Sequence, residues 1–259
     1  MSADQRPGPP TGQGSSIQRR SAARTAVVWD ALREVLDQTA AGRPDPASVV
    51  DIGGGTGGFA VRVAELGHQV VVVDPSPDAL AILGRRAEES GVADLVTGLQ
   101  GDLGTLPELV QAGSADVVLC HGVLEIVDDP AAALAALAGV LRPGGTLSLL
   151  VSQRHAAVVT RAMAGHFGQA RSLLDDAGSA GGSTRRFTAD EITAVLDDSG
   201  FDTGTMHAVR VFVDLVPSSL VDLEPGAARA LVELEQAVST RPEYLTLATQ
   251  IHTLATRRA

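Results

Sequence analysis

With 259 residues, 44% of them hydrophobic, the chain is long enough to bury one large core, and α/β domains of this size commonly stand as a single domain. No apolar run approaches the roughly 18 residues a membrane span needs, and the Pro-, Gly- and Ser-rich opening Met1–Ser16 lacks a charged-then-apolar leader, so a soluble, cytoplasmic protein is expected. A net charge of −11 argues against nonspecific nucleic-acid binding, the single Cys120 excludes a disulfide framework or cysteine metal cluster, and the lack of any lysine removes lysine-dependent chemistry.

Residues 1–16 read as a disordered tail. From Ile17 to about Ala41, the positions Ala23, Val27, Val28, Leu32, Val35 and Leu36 recur at helical spacing, and Gly42, Pro44 and Pro46 end that helix. Apolar strands then alternate with helices. The strands are Ser48–Ile52, Gln69–Asp74, Leu95–Leu99, Asp116–His121 and Gly145–Ser152. The helices lie near Phe59–Leu66, Pro77–Ser90, Leu106–Gln111 and Pro130–Leu141. Strands that are apolar throughout imply a parallel sheet covered on both faces, and right-handed crossovers make it doubly wound. Cys120 falls within such a strand and reads as a small buried hydrophobe.

Beyond Ser152 the pattern changes. Gly178–Thr184 is a Gly/Ser-rich loop followed by Arg185 and Arg186. Thr188 with Glu191 makes a capping box for a helix to Ser199. A strand is expected over Thr203–Val213, a helix over Pro225–Val238, a short helix over Pro242–Thr249 and a last strand over Ile251–Thr256, antiparallel beside the fifth. The expected fold is therefore α/β: a doubly wound, mostly parallel seven-stranded sheet, Rossmann-like, with an N-terminal helix and C-terminal helical insertions.

The run Val49-Val50-Asp51-Ile52-Gly53-Gly54-Gly55-Thr56-Gly57-Gly58 carries a strand into a tight glycine turn and then a helix. Such a turn lets a ligand approach the backbone and the free amides of a helix N-terminus. Gly53, Gly55 and Gly58 also satisfy G-x-G-x-x-G, so a nicotinamide dinucleotide is the rival ligand. Both kinds of site use an acid after the second strand, here Asp74 with Pro75 behind it, for ribose hydroxyls. Asp51 separates them: a carboxylate directly before the glycines suits a cationic amino-acid tail and repels a pyrophosphate. Asp102 follows the third strand, where it can accept an adenine amino group. Alone, Asp51 could merely cap the turn, Asp74 the next helix, and Asp102 could be a surface residue; their register with successive strand ends points to S-adenosylmethionine, held also by Gly53, Gly54, Gly55 and Gly57.

The glycine run, Asp74, Asp102 and the turn Leu141-Arg142-Pro143-Gly144-Gly145 together resemble the class I S-adenosylmethionine-dependent methyltransferases. Four further segments resemble one family among them, the tRNA 5-carboxymethoxyuridine methyltransferases. These are Arg24-Thr-Ala-Val-Val-Trp29, His121-Gly-Val-Leu-Glu125, Val209-Arg-Val-Phe212, and Arg241-Pro-Glu-Tyr244-Leu-Thr-Leu247 with Ile251-His252. The resemblance implies methyl transfer to a carboxylate on a modified wobble uridine of tRNA. It implies that Arg24 and His121 touch the cofactor, with Gly53, Gly54, Asp74, Asp102 and Leu103 completing the pocket. It also implies one methyltransferase domain over 17–259, with a cofactor half to about residue 152 and acceptor-side elements over about 153–250. The chain departs from the family where a lysine-rich loop is replaced by Gly178–Thr184 and a tryptophan by Ile126.

Methyl transfer from a sulfonium is an in-line displacement, and an ionised carboxylate acceptor needs no general base. Arginine holds a carboxylate best, which nominates Arg210 first and Arg154 second; the alternative for Arg210 is an ion pair with Asp214. His155 and His121 are bases in reserve for a hydroxyl acceptor, and Tyr244 is a candidate pocket wall. Arg19 and Arg20 read as a solvated pair and Trp29 as a core anchor. A small-molecule O- or N-methyltransferase and a non-catalytic S-adenosylmethionine-binding protein are the competing readings. A basic face from Arg154, Arg161, Arg171, Arg185 and Arg186 would favour RNA, and a closed apolar pocket a small molecule. No metal and no membrane partner are expected.

Overall fold

The computed structural model describes residues 16–43, 45–174, 184–224 and 226–259. The tail read over residues 1–16 and the loop Gly178–Thr184 thus lie outside the described residues, save Ser16 and Thr184, as do the side chains of Arg19 and Arg20. Among the described residues no helix is long and apolar enough to cross a membrane.

A 25-residue helix, α1 (Ser16–Ala40), leads into β1 (Ser48–Ile52), α2 (Ala60–Glu65), β2 (Gln69–Asp74), α3 (Pro77–Glu89) and β3 (Val96–Gln100). Next come α4 (Leu106–Leu109), β4 (Ala115–His121), α5 (Pro130–Val140) and β5 (Leu141–Ser152). The remainder is α6 (Arg154–Met163), α7 (Phe167–Ser172), α8 (Ala189–Asp198), β6 (Phe201–Val209), α9 (Ser218–Leu223), α10 (Ala227–Val238), α11 (Pro242–Leu245) and β7 (Gln250–Arg257). The seven strands form one sheet in the order β3-β2-β1-β4-β5-β7-β6, in which β7 alone runs opposite in direction to the other six. Chain order reverses direction between β1 and β4, so a crevice opens outside their carboxyl ends.

Local chemistry explains the helix starts. The Ser76 hydroxyl accepts from the Ala79 amide at 3.2 Å and Pro77 opens α3; Asp129 accepts from the Ala131 and Ala132 amides ahead of α5, again behind a proline. The expected capping box is present: the Thr188 amide donates to Glu191 at 2.8 Å and the Glu191 amide to Thr188 Oγ1 at 3.3 Å.

Val50, Ile52, Val118 and Leu149 meet Leu106, Leu134, Leu137, Ile192 and Leu196 of α4, α5 and α8 on one face of the sheet. On the other, Val49, Val72, Val117 and Leu119 meet Leu32, Leu36, Ala60, Val63 and Leu83 of α1, α2 and α3. Trp29 packs against this second core with Arg62 stacked 3.8 Å over its ring, as expected of a core anchor. Cys120 is fully buried, and burial pushes its thiol well above the ordinary range.

Two strands differ from expectation by four residues at one end, while β3, β4 and β7 differ by a single residue at one or both ends. β6 stops at Val209 rather than Val213, because Arg210 adopts a left-handed backbone, φ 62°, and the chain turns away. The fully buried Glu235 of α10 then accepts the amides of Val211, Phe212 and Val213 at 3.0, 2.8 and 2.8 Å, replacing the ladder those residues leave. β5 begins at Leu141 rather than Gly145, since Leu141 pairs with Ala115 before the register shifts. Helices α6, α7 and α9 have no counterpart in the sequence reading.

Candidate active site

The carboxyl ends of β1 and β4 frame a cavity of about 640 Å³, a volume typical of small-molecule sites. Its wall includes Gly53, Asp74, Pro75, Asp102, Leu103 and His121, six of the residues expected to hold a cofactor. Asp128, Asp129 and Ile126 add to its rim, the last 71% exposed.

The glycine turn is pinned by its neighbours. The Gly53 amide donates to the Val73 carbonyl at 2.8 Å, and a Cβ on Gly53, at φ 68°, would stand 2.5 Å from Val123. A Cβ on Gly54 would fall 2.5 Å from Asp51 Oδ2, so that position stays bare to leave room for the acid beneath it. Gly57 faces Leu83, which makes it a packing position rather than cavity wall. Asp51, Gly54, Gly55 and Gly57 do not line the cavity themselves; Asp51 lies buried beneath the turn at Gly54.

Asp51 is 3% exposed, and burial, with the nearby Asp74 charge second, pushes its carboxyl up to about 7. Asp74 accepts the Gly55 amide through Oδ2 and the Ser76 amide through Oδ1, both at 2.9 Å, which aims the carboxylate across the turn. Asp102 uses Oδ1 to accept the Gly104 and Thr105 amides at 2.9 and 3.1 Å, so it caps its own turn while lining the cavity.

His121 ends β4. Its Nε2 lies 2.9 Å from Ser148 Oγ, its ring stands edge-on to Phe59 with centroids 4.9 Å apart, and its buried Nδ1 has no partner. Burial lowers the ring to about 4, so it is neutral. The loop behind it is anchored by the Gly122 amide on the Leu150 carbonyl at 2.9 Å and by Glu125, whose Oε1 accepts the Ser152 amide at 2.7 Å.

Arg24 and Arg210 converge on one acid. Asp214 accepts Arg24 Nε and Nη2 at 3.2 and 2.9 Å on Oδ1, and Arg210 Nε at 2.7 Å on Oδ2; Arg210 Nη1 also donates to Gln250 at 3.3 Å. The ion-pair alternative for Arg210 is therefore realised, and Arg24 joins it instead of lining the cavity. Arg154 corrects the sequence reading: it is 7% exposed, its Nη2 donates to both oxygens of Glu191 at 2.7 and 2.8 Å and to the Arg186 carbonyl, and it offers no free fork. His155 is exposed at the start of α6, its Nδ1 3.3 Å from Gln153 Nε2. Tyr244 packs edge-on to Phe212 at 6.0 Å, in a small cluster with Val211 and Val238. Of the expected basic face, Arg161 and Arg171 are exposed, Arg185 and Arg186 are partly buried, and Arg154 is buried. Glu235 and the pair Ser148–His252 went unnoticed in the sequence. His252 stood in the sequence only within the segment quoted for its family resemblance, and the β6–β7 pairing that brings His207 beside it is visible only in the structure.

Residues 50–149 match the family described as Methyltransferase domain. Over 238 residues the chain is 31% identical to the tRNA 5-carboxymethoxyuridine methyltransferase of Escherichia coli K12, covering 90% of this chain and 87% of that one. The chain belongs to the S-adenosylmethionine-dependent methyltransferases. The ubiquinone biosynthesis O-methyltransferase of Xanthomonas axonopodis pv. citri is 36% identical over 138 residues, 52% of this chain and 56% of that protein. Among solved structures, a geranyl diphosphate methyltransferase in complex with SAM shares the fold, with a TM-score of 0.59 at 18% identity, covering 97% of this chain and 93% of the other. The cofactor of this methyltransferase is S-adenosylmethionine. The residues present suit it: a buried acid under a bare turn, acids at successive strand ends, and an orphaned ring nitrogen at the wall.

Proposed function

We propose that this methyltransferase acts on a carboxylate of a modified wobble uridine in tRNA. The observation that carries this reading is where the similarity lies. Identity with the tRNA enzyme extends over 90% of the chain and so reaches the acceptor-side elements after Ser152, whereas identity with the ubiquinone-pathway enzyme covers 52%.

The bound cofactor supplies a methyl group on a positively charged sulfur. Gly53 faces its amino-acid tail with the Asp51 charge beneath the turn, Asp74 with Pro75 holds its ribose hydroxyls, and Asp102 with Leu103 its adenine. The acids at the cavity wall favour a cationic ligand and oppose a pyrophosphate, which disfavours a dinucleotide. On the acceptor side, Arg24 and Arg210 bring two positive charges to the single negative charge of Asp214, leaving a net cationic cluster at the carboxyl edge of the sheet. Arg210, preset by its left-handed backbone, orients the acceptor carboxylate. A carboxylate is already ionised at neutral pH, so the protein's task is alignment and exclusion of water. Arg161 and Arg171, exposed on α6 and α7 beyond the carboxyl end of β5, give basic contacts for the RNA. The domain proposed spans 17–259, with the cofactor half ending near Ser152.

The net charge of −11 favours a second reading, a small-molecule O-methyltransferase. Mass spectrometry of tRNA nucleosides from cells with and without the gene separates the two. Loss of the methyl ester at a wobble uridine is expected; an unchanged nucleoside profile would overturn the tRNA reading.

A further inference from the structure

Four polar side chains line up on the α1 face of the sheet, one from each of β4, β5, β7 and β6, in the order those strands adjoin. His121 Nε2 lies 2.9 Å from Ser148 Oγ, the same oxygen lies 2.8 Å from His252 Nε2, and His252 Nδ1 lies 3.3 Å from His207 Nδ1. Ser148 and His252 are fully buried. The His207 and His252 rings stack with centroids 5.3 Å apart.

Proton counting restricts this chain severely. A hydroxyl has one proton, so between two ring nitrogens it donates to one and accepts from the other. A neutral imidazole has one N–H, so the role of one nitrogen fixes the role of the other. Only two arrangements keep all three hydrogen bonds with neutral rings. In the first, His207 Nδ1–H donates to His252, His252 Nε2–H donates to Ser148, Ser148 donates to His121, and His121 carries its proton on Nδ1. In the second every bond reverses and His121 Nδ1 is a lone pair. Charged rings are no escape within the core: burial lowers His121 to about 4, and burial plus the neighbouring rings lowers His252.

We infer that Ser148 and His252 are positioning residues that hold His121 with its proton on Nδ1, so that the cavity wall presents a donor to the carboxylate of the cofactor's amino-acid tail. That carboxylate accepts only, and the cavity's acids cannot hold it. Among the described residues lining the cavity, His121 is the one with a side-chain N–H to give, and its Nδ1 is otherwise unpartnered. His207, partly exposed and facing Glu34 of α1 as well as His252, is the outer end of the chain. The inference rests on the cofactor filling this cavity and is independent of which acceptor is methylated.

Ring-nitrogen NMR of ¹⁵N-histidine-labelled protein with S-adenosylhomocysteine bound reads each tautomer directly. The expected spectrum has His121 protonated on Nδ1, His252 on Nε2 and His207 on Nδ1. Ser148→Ala and His252→Phe, neither in the cavity wall, are expected to leave His121 as a mixture of tautomers and to weaken S-adenosylhomocysteine binding by about fivefold, the worth of one net hydrogen bond. His121 protonated on Nε2, as in the reversed arrangement, or His121 and His252 both protonated on Nδ1, in the wild type would overturn the inference. So would a single unchanged His121 tautomer in either variant. The wild-type spectrum decides even if a variant fails to fold.

Discussion

Asp51 should make cofactor binding depend on pH in a way that reveals what the acid is for. It is 3% exposed and its carboxyl is pushed up to about 7 by burial and by Asp74, so near neutrality the ligand-free protein is divided between protonated and ionised forms. A cationic amino group beside it favours the ionised form. If only that form binds, affinity for S-adenosylmethionine falls about tenfold from pH ~8 to pH ~6, and binding releases about 0.9 proton at the lower pH and about 0.1 at the higher. The ligand-free protein shows the opposite side of the same linkage. A raised carboxyl means the native state holds more protons than the unfolded chain between the ordinary carboxylate range and about 7, so stability falls as pH rises through that window. Ionised and buried, Asp51 costs on the order of 4 kcal/mol. Asp51→Asn removes that cost, and should raise the melting temperature of the ligand-free protein above neutral pH while weakening cofactor binding at least about tenfold. Calorimetry in buffers of different ionisation enthalpy, alongside thermal melts, measures both effects. Affinity independent of pH with no proton release, or a D51N variant that binds like the wild type, would refute the role assigned to this acid.

Three further substitutions probe the scaffold and the acceptor side. Asp116, at the opposite end of the sheet, resists the upward pull of burial because the Ser48 amide, at 2.9 Å, and Arg43 and Arg142, at 2.6 and 2.5 Å, hold its carboxyl below the ordinary range. Its contribution is therefore present above that range and lost as pH falls through its folded value; Asp116→Ala should cost about 2–4 kcal/mol in denaturant unfolding at pH ~7, and a cost under about 1 kcal/mol would contradict the clamp. Glu235→Ala strips three backbone amides of their acceptor and should cost about 3 kcal/mol by the same assay, with a raised KM for the acceptor because the segment carrying Arg210 and Asp214 loosens. Arg210→Gly relieves a left-handed backbone, so the melting temperature should change little while kcat/KM for the carboxylate acceptor drops about 10- to 100-fold at unchanged cofactor affinity; parallel loss of cofactor binding would assign Arg210 to the fold instead.

The cofactor half was legible because its signals are local. An apolar run ending in Asp51 and a glycine turn can be read without knowing what packs on it, and β1 and β2 fall where the run lengths place them. Thr188 and Glu191, three residues apart, likewise carry their own capping geometry. The acceptor side depends on contacts between distant residues. Val211, Phe212 and Val213 continue the apolar pattern of β6, and nothing nearby in sequence reveals that Glu235 captures their amides. Arg154 read as a free cation because its partner Glu191 lies 37 residues away; Arg24 read as a cofactor contact through the family resemblance, and its partner Asp214, 190 residues away, left no local signal. The chain from His121 to His207 needs the sheet order β4-β5-β7-β6, which no periodicity encodes.

A crystal structure of the protein soaked with S-adenosylhomocysteine tests the site most directly. Adenosine lying across Asp74 and Asp102, with the amino-acid tail over Asp51 and against His121, is the expected result. A ligand bound elsewhere, or a crevice between β1 and β4 that stays closed to it, would contradict the assignment.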